Sequence, residues 1–500
     1  MGRRPPRGAA GRIPQAPAAE RTPLPAGFGL APDAATERLD DDRVLLGGSP
    51  LRLLRLRPRA AELVRRWVAG ERLGDDPAEG RLARRLVTTG VFVPRPPSGG
   101  LTPADVTVVV PVRDRPAMLE RLLAALGPLA VVVVDDASVA PEPVALVARS
   151  AGATYRRLAR HGGPGAARNA GLAEVRSPVV AFVDSDCLPE EGWLAPLLDE
   201  LADPRVAAVA PRVVPSEDGR RHRWPSSYEA VRSPLDRGSA PGLVRPGGRV
   251  PFVPTAALVA RRSALGDRCF DESLDGGEDV DLVWRLVAAG WDVRYQPAVV
   301  VRHEQHRGAL GWAGRRFFYG TTAGPLAERH GAAVAPVSIS AWSAASLGLL
   351  AARRPLPAVL VNGLAIGLLA RRLRGVVDDP VAVAVRLAGR GTLQAATASV
   401  AALARVWGPW ALLAVAWRRS RPAALAMLLG PAVADWWSLR PGERPAPGGY
   451  VLAHVADDLA YGSGVWWGAA RRRTLQPLLP QVVLRSRTWA ADTLRRRVDA

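Results

Sequence analysis

Three runs of β-branched residues constrain this chain most: VTVVVPV (106–112), AVVVVDDAS (130–138) and PVVAFVDSD (178–186). A strand with one wet face alternates apolar and polar residues. These runs do not alternate, so both of their faces must be covered. Between them lie segments of helical length. One has apolar residues at Met118, Leu119, Leu122 and Leu123; the next is PVALVARSAG; and after a short strand at TYRRL comes PGAARNAGLAEV. Helices alternating with buried strands predict a doubly wound, mostly parallel sheet of the α/β class, running here to about residue 305.

In such a sheet, ligands bind beyond the carboxyl ends of the strands. Two of the runs end there in paired acids, Asp135 with Asp136 and Asp184 with Asp186. One carboxylate at a strand end commonly caps the next helix, but two pairs with an arginine motif between them fit a ligand site better. In DSD (184–186) the acids at i and i+2 share one side of an extended segment. They can hold a divalent cation with the ribose or diphosphate of a nucleotide. GGPGAARNAG (162–171) sets Arg168 near a helix start, where it can pair with a phosphate. Its spacing matches neither a P-loop nor a dinucleotide fingerprint. GGEDVDLVWRL (276–286) gathers Glu278, Asp279 and Asp281 at a glycine turn ahead of a helix. Acids are favoured at a helix start, yet a transfer reaction also needs one to take the proton from an attacking hydroxyl. VVVRHEQH (299–306) brings His303 to a strand end as a candidate metal ligand, with His306 the lesser candidate.

The flanks differ in character. Residues 1–37 read as a disordered basic tail without the apolar run of a signal peptide. Residues 38–93 read as a small winged-helix-like α+β unit, with short strands at RVLLGG and SPLRLLRL and helices at PRAAELVRRWVAG and EGRLARRLVTTG. A proline-rich linker (94–104) leads into the catalytic block (105–320). Residues 321–480 form an apolar helical tail, and 481–500 a second basic tail. The formal charge of +20 rests on arginine alone, for the chain has no lysine. That charge suits a polyphosphate substrate or an anionic membrane surface; no nucleic-acid-binding pattern is present. Cys187 and Cys269 form no framework, as in a reducing cytosol. A bilayer span needs roughly 20 apolar residues, which 331–352 reaches. Segment 355–370 is shorter and is bounded by arginines at 353–354 and 371–374. The tail is therefore expected to associate with the cell membrane, with the catalytic block on the cytoplasmic side.

In order along the chain, VTVVVPVRD, VVVVDDAS, GPGAARNAGL, VAFVDSD, GGEDVDLVWRL and VVRH resemble family 2 glycosyltransferases. The resemblance covers about residues 105–305. It implies a GT-A fold, a nucleotide-diphosphate sugar donor, a divalent metal (Mn or Mg) and inversion at the anomeric carbon. By position it implies that Asp135, Asp136 and Arg168 face the nucleotide. Asp184 and Asp186 would hold ribose, diphosphate and metal, and Asp279 would be the base. The QxxRW segment of processive synthases is missing; RRFFYG (315–320) stands nearby. The flanking segment LPAGFGLAPDAATERLDDDRVLLGGSPLRLLRLRPRA and the apolar tail resemble the glycosyltransferases of mycofactocin biosynthesis, whose N-terminal unit is similar to PqqD-like peptide carriers. That implies glucose moved from UDP-glucose onto pre-mycofactocin, a peptide-derived redox cofactor, as a short β-1,4-linked oligosaccharide. The alternative is a membrane glycosyltransferase acting on a lipid-linked or cell-wall acceptor.

Overall fold

The computed structural model describes residues 10–18, 22–49, 51–216, 224–304 and 308–483. His306, residues 1–9 of the first tail and residues 484–500 of the last lie outside the described residues. The chain divides into two compact units, Met1–Ala34 with Trp67–His306, and Ala35–Arg66 with Arg307–Ala500.

The first unit is built on the sheet that the apolar runs predict. Its strands lie in the order Cys187–Pro189, Asp292–His303, Val206–Pro215, Ala257–Arg261, Val179–Val183, Val106–Val112, Ala130–Asp135 and Thr154–Arg157. The last four are parallel to one another. Strand Ala257–Arg261 runs antiparallel between Val179–Val183 and Val206–Pro215, and the latter pairs in parallel with Asp292–His303. The sheet is thus mixed, with a parallel half that carries the acidic strand ends. Val108, Val110, Val133, Ala181 and Val183 are buried with Leu119, Leu122 and Leu197 from the covering helices. Helix Pro164–Glu174 packs so closely that a Cβ on Gly171 would stand 2.3 Å from Val109 Cγ1. This contact puts Arg168, less than one turn earlier, deep in the unit.

The first tail is shorter than its composition predicts. Strand Gly29–Pro32 pairs antiparallel with Phe92–Arg95, and Ile13, Leu24 and Phe28 are buried. Gly11 N donates to Arg268 O at 2.7 Å and Trp291 Nε1 to Pro14 O at 2.8 Å. These anchors are single residues without a period, so hydrophobic patterning does not reveal them.

The segment 38–93 forms its expected strands and helices but is divided between the units. The meander Glu37–Leu39, Val44–Gly47 and Arg52–Arg55 belongs to the second unit. There its apolar face (Val44, Leu46, Leu53) is buried with Leu373, Val377 and Val383, and Glu37 pairs with Arg386 and Arg390. Helix Pro77–Thr89 belongs to the first unit. Its buried Arg84 donates to both oxygens of Asp203 at 2.6 Å.

Most of the rest of the second unit is helical: Ala309–Thr321, Ala323–His330, Ala341–Ala351, Pro355–Leu373, Pro380–Ala414, Arg421–Ser438 and Pro447–Arg472. Gly320 and Gly324 meet Gly464 and Gly468 backbone to backbone. A Cβ on Gly464 would stand 2.0 Å from Phe317 O, and one on Gly324 2.3 Å from Gly468 O. Small residues four apart on both partners permit this approach. The apolar stretch 331–352 is not one long helix, contrary to its composition. Strand Ser338–Ser340 pairs with Gln481–Val483, and Ser340 caps a helix of only 11 residues. Among the described residues, the one helix long and apolar enough to cross a membrane is Pro355–Leu373.

Candidate active site

Strand Val106–Val112 has Ala130–Asp135 on one side and Val179–Val183 on the other. Strand order reverses there, so the loops after these strands diverge and a ligand crevice opens at their carboxyl ends. Asp136, Asp184 and Asp186 stand on those loops, Asp135 closes its strand, and Glu278, Asp279 and Asp281 lie in the first turn of helix Glu278–Ala288.

Asp135 is fully buried. It accepts from Ser138 N at 2.8 Å and from the Tyr155 hydroxyl at 2.7 Å. Burial and the adjoining carboxylate push the Tyr155 phenol up to about 12. Asp136 accepts from Gly162 N at 2.6 Å and Gly163 N at 2.9 Å, and meets His161 Nδ1 at 2.7 Å. The Asp136 carboxylate thus holds the loop that opens helix Pro164–Glu174, while Asp135 ties the end of its own strand to Ser138 and to Tyr155 of the neighbouring strand.

Arg168 links the two acidic motifs. Its Nη2 donates to Asp184 Oδ1 at 2.6 Å and its Nη1 to Glu278 Oε1 at 2.9 Å, with the guanidinium 5.5 Å from the Phe270 ring centre. Its side chain is only 3% exposed, so it acts as a bracket between carboxylates. Burial works against its charge, but Asp184 and Glu278 overcome that cost and raise its pKa. The Asp184 carboxyl is raised by burial and by Asp186, with Arg168 opposing.

Of the three acids at Glu278–Ala288, two are engaged by arginine. Glu278 holds Arg168. Asp281 is fully buried and accepts from Arg285 Nε at 2.7 Å, so it is a poor candidate for meeting an acceptor. Asp279 keeps a partly exposed face. Desolvation, then repulsion from Glu278, raises its carboxyl to about 7. A carboxylate of that strength can take a proton near neutral pH.

On the far side of the crevice, strand Cys187–Pro189 pairs with the end of Asp292–His303, with Cys187 opposite His303. His303 Nε2 thereby comes 3.6 Å from Asp186 Oδ1. Arg115, which carries no motif in the sequence, donates from Nη1 to Asp186 Oδ2 at 2.6 Å. Its one local signal is a basic residue in the short turn between a buried strand and helix Pro116–Leu126.

Residues 107–267 match glycosyl transferase family 2. Pre-mycofactocin glycosyltransferases from two Mycobacterium tuberculosis strains are each 40% identical over 474 residues, covering 92% of this chain and 99% of theirs. The chain belongs to glycosyltransferase family 2. Within it, this glycosyltransferase groups with those two relatives. A succinoglycan biosynthesis protein of Rhizobium meliloti is 32% identical over 173 residues, 33% of this chain and 54% of that protein. Among solved structures, a mannosyltransferase from Pyrobaculum calidifontis in complex with GDP-Man and Mn2+ is 21% identical. That likeness covers 73% of this glycosyltransferase and 90% of the mannosyltransferase, with a TM-score of 0.39.

A divalent cation would find a carboxylate and an imidazole at Asp186 and His303, 3.6 Å apart. Among the described residues no cluster of three or more His, Cys, Asp or Glu side chains could hold a metal ion. The protein donors fit a cation that completes its shell with substrate phosphates and water.

Proposed function

We propose that this glycosyltransferase moves glucose from UDP-glucose onto pre-mycofactocin with inversion, building a short β-1,4-linked oligosaccharide on that peptide-derived cofactor. The observation that carries this reading is the 40% identity to pre-mycofactocin glycosyltransferases over nearly the whole of both chains. Asp279 takes the proton from the acceptor hydroxyl as that oxygen bonds to the anomeric carbon and the diphosphate leaves. Asp184 and Asp186 face the diphosphate side, with Asp136 ordering the loop beside the nucleoside and Asp135 bracing the strand end next to it. Asp186 and His303 would hold the cation, whose positive charge stabilises the leaving diphosphate when bound. The acceptor tests the reading: purified enzyme with UDP-glucose and pre-mycofactocin should yield a product one or more hexoses heavier. An inert pre-mycofactocin, with transfer to a lipid-linked glycan instead, would replace this acceptor.

We further propose that the second unit holds the enzyme on the cytoplasmic face of the cell membrane. Leu356, Val359, Leu360, Leu364 and Leu368 are exposed on helix Pro355–Leu373 at the spacing of one stripe. Arginines at 353, 354, 371 and 372 stand at its ends, where long side chains reach lipid headgroups. Leu425, Leu429, Val433 and Trp437 form a second exposed stripe on Arg421–Ser438. Residues 331–480 carry sixteen arginines against six acids, which favours an anionic surface. Cell fractionation without detergent should find the protein with membranes. Monodisperse, active protein in the high-speed supernatant would overturn this.

A further inference from the structure

Arg115 is a cation at the site with no part in the proton transfer or in holding the divalent cation. The backbone that carries it is pinned by the preceding residue. Asp114, in the left-handed region at φ 55°, accepts from Val139 N at 2.7 Å, and its own N–H donates to Ser138 Oγ at 2.9 Å. The Arg115 side chain is 38% exposed, whereas Asp186, on which it rests, is only 12% exposed. The arginine can therefore leave into solvent or onto a ligand, while the carboxylate stays in place. Asp186 is held from both edges, by Arg115 at Oδ2 and by His303 near Oδ1.

We infer that Arg115 is a counter-ion shared between Asp186 and the donor diphosphate, resting on the carboxylate in the nucleotide-free protein and moving to the phosphates when the nucleotide arrives with its cation. The inference depends on reading Asp186 as the residue that meets cation and diphosphate. A guanidinium and a divalent cation repel each other on one carboxylate, so each weakens the other's hold. A diphosphate removes the conflict. It offers the guanidinium a paired-oxygen partner of matching geometry and shares the cation with Asp186. Cation and nucleotide should then bind with positive coupling, and that coupling is reciprocal. Arg115 is a positioning and binding residue in this account, with no part in moving the proton.

The test is Mn2+ binding to the full-length protein, followed by electron paramagnetic resonance with and without UDP. In Arg115→Ala, Mn2+ alone should bind about five-fold more tightly, the release expected on losing a partly exposed ion pair. UDP in the presence of Mn2+ should bind at least about five-fold more weakly, and Arg115→Lys, which keeps the charge without the paired donors, should restore most of the Mn2+ value and only part of the UDP value. Unchanged or weaker binding of Mn2+ alone to Arg115→Ala would overturn the shared counter-ion and leave a structural tie. Equal Mn2+ binding by wild type and Asp186→Ala, with UDP present, would instead remove the reading of Asp186, and this inference with it.

Discussion

Asp279→Asn is expected to lower turnover by about a hundred- to ten-thousand-fold, the range spanned by loss of a positioned general base, while donor binding stays near wild type. The amide keeps the shape of the side chain and cannot take a proton. The pH profile should carry the same signature. Burial, then repulsion from Glu278, raises Asp279 to about 7. The base works only when ionised, so its competent fraction grows as pH rises through that value. Below it, kcat/KM should fall about ten-fold per pH unit, and the asparagine variant should lose that acid limb. Steady-state kinetics with separate donor-binding measurements decide the matter. If Glu278→Gln or Asp281→Asn is the crippled variant and Asp279→Asn stays active, the base has been misplaced within the cluster. A product with retained anomeric configuration would refute single displacement outright.

Asp186→Ala should cost on the order of a hundred- to a thousand-fold in rate, the scale of losing one preorganised electrostatic stabiliser of the transition state. The fold should survive, because the Asp186 side chain sits at the crevice and the sheet core is made by the apolar strand residues before it. Chelation with EDTA should reproduce the loss in the wild type, and Mn2+ or Mg2+ should reverse it. Chelation should add little to the variant, since both remove the same counter-charge from the leaving diphosphate. Wild-type rates persisting in EDTA would exclude the cation from the reaction.

The family and the parallel half of the sheet were legible in the sequence because their signals are local. A strand buried on both faces needs an unbroken apolar run, and the acids at the ends of such runs mark the carboxyl edge of the sheet. VVAFVDSD therefore announces both a central strand and a ligand position. The glycine turn before Glu278 likewise announces a helix that opens on acids.

The tertiary structure decided what depends on partners remote in sequence. Glu278, Asp279 and Asp281 are alike as letters. They differ because Arg168, 110 residues away from Glu278, brackets one, Arg285 engages another, and only Asp279 is left with desolvation, repulsion and a partly exposed face. Arg115 acquires its place through Asp186, 71 residues on. The tail around Ile13 and Phe28 packs on the first unit through isolated anchors, and strand Ser338–Ser340 finds its partner at Gln481–Val483. Local pattern fixes which residues must be buried or extended; which charge meets which is settled only when distant segments share a low-dielectric interior, where each pairing changes what its neighbours can do.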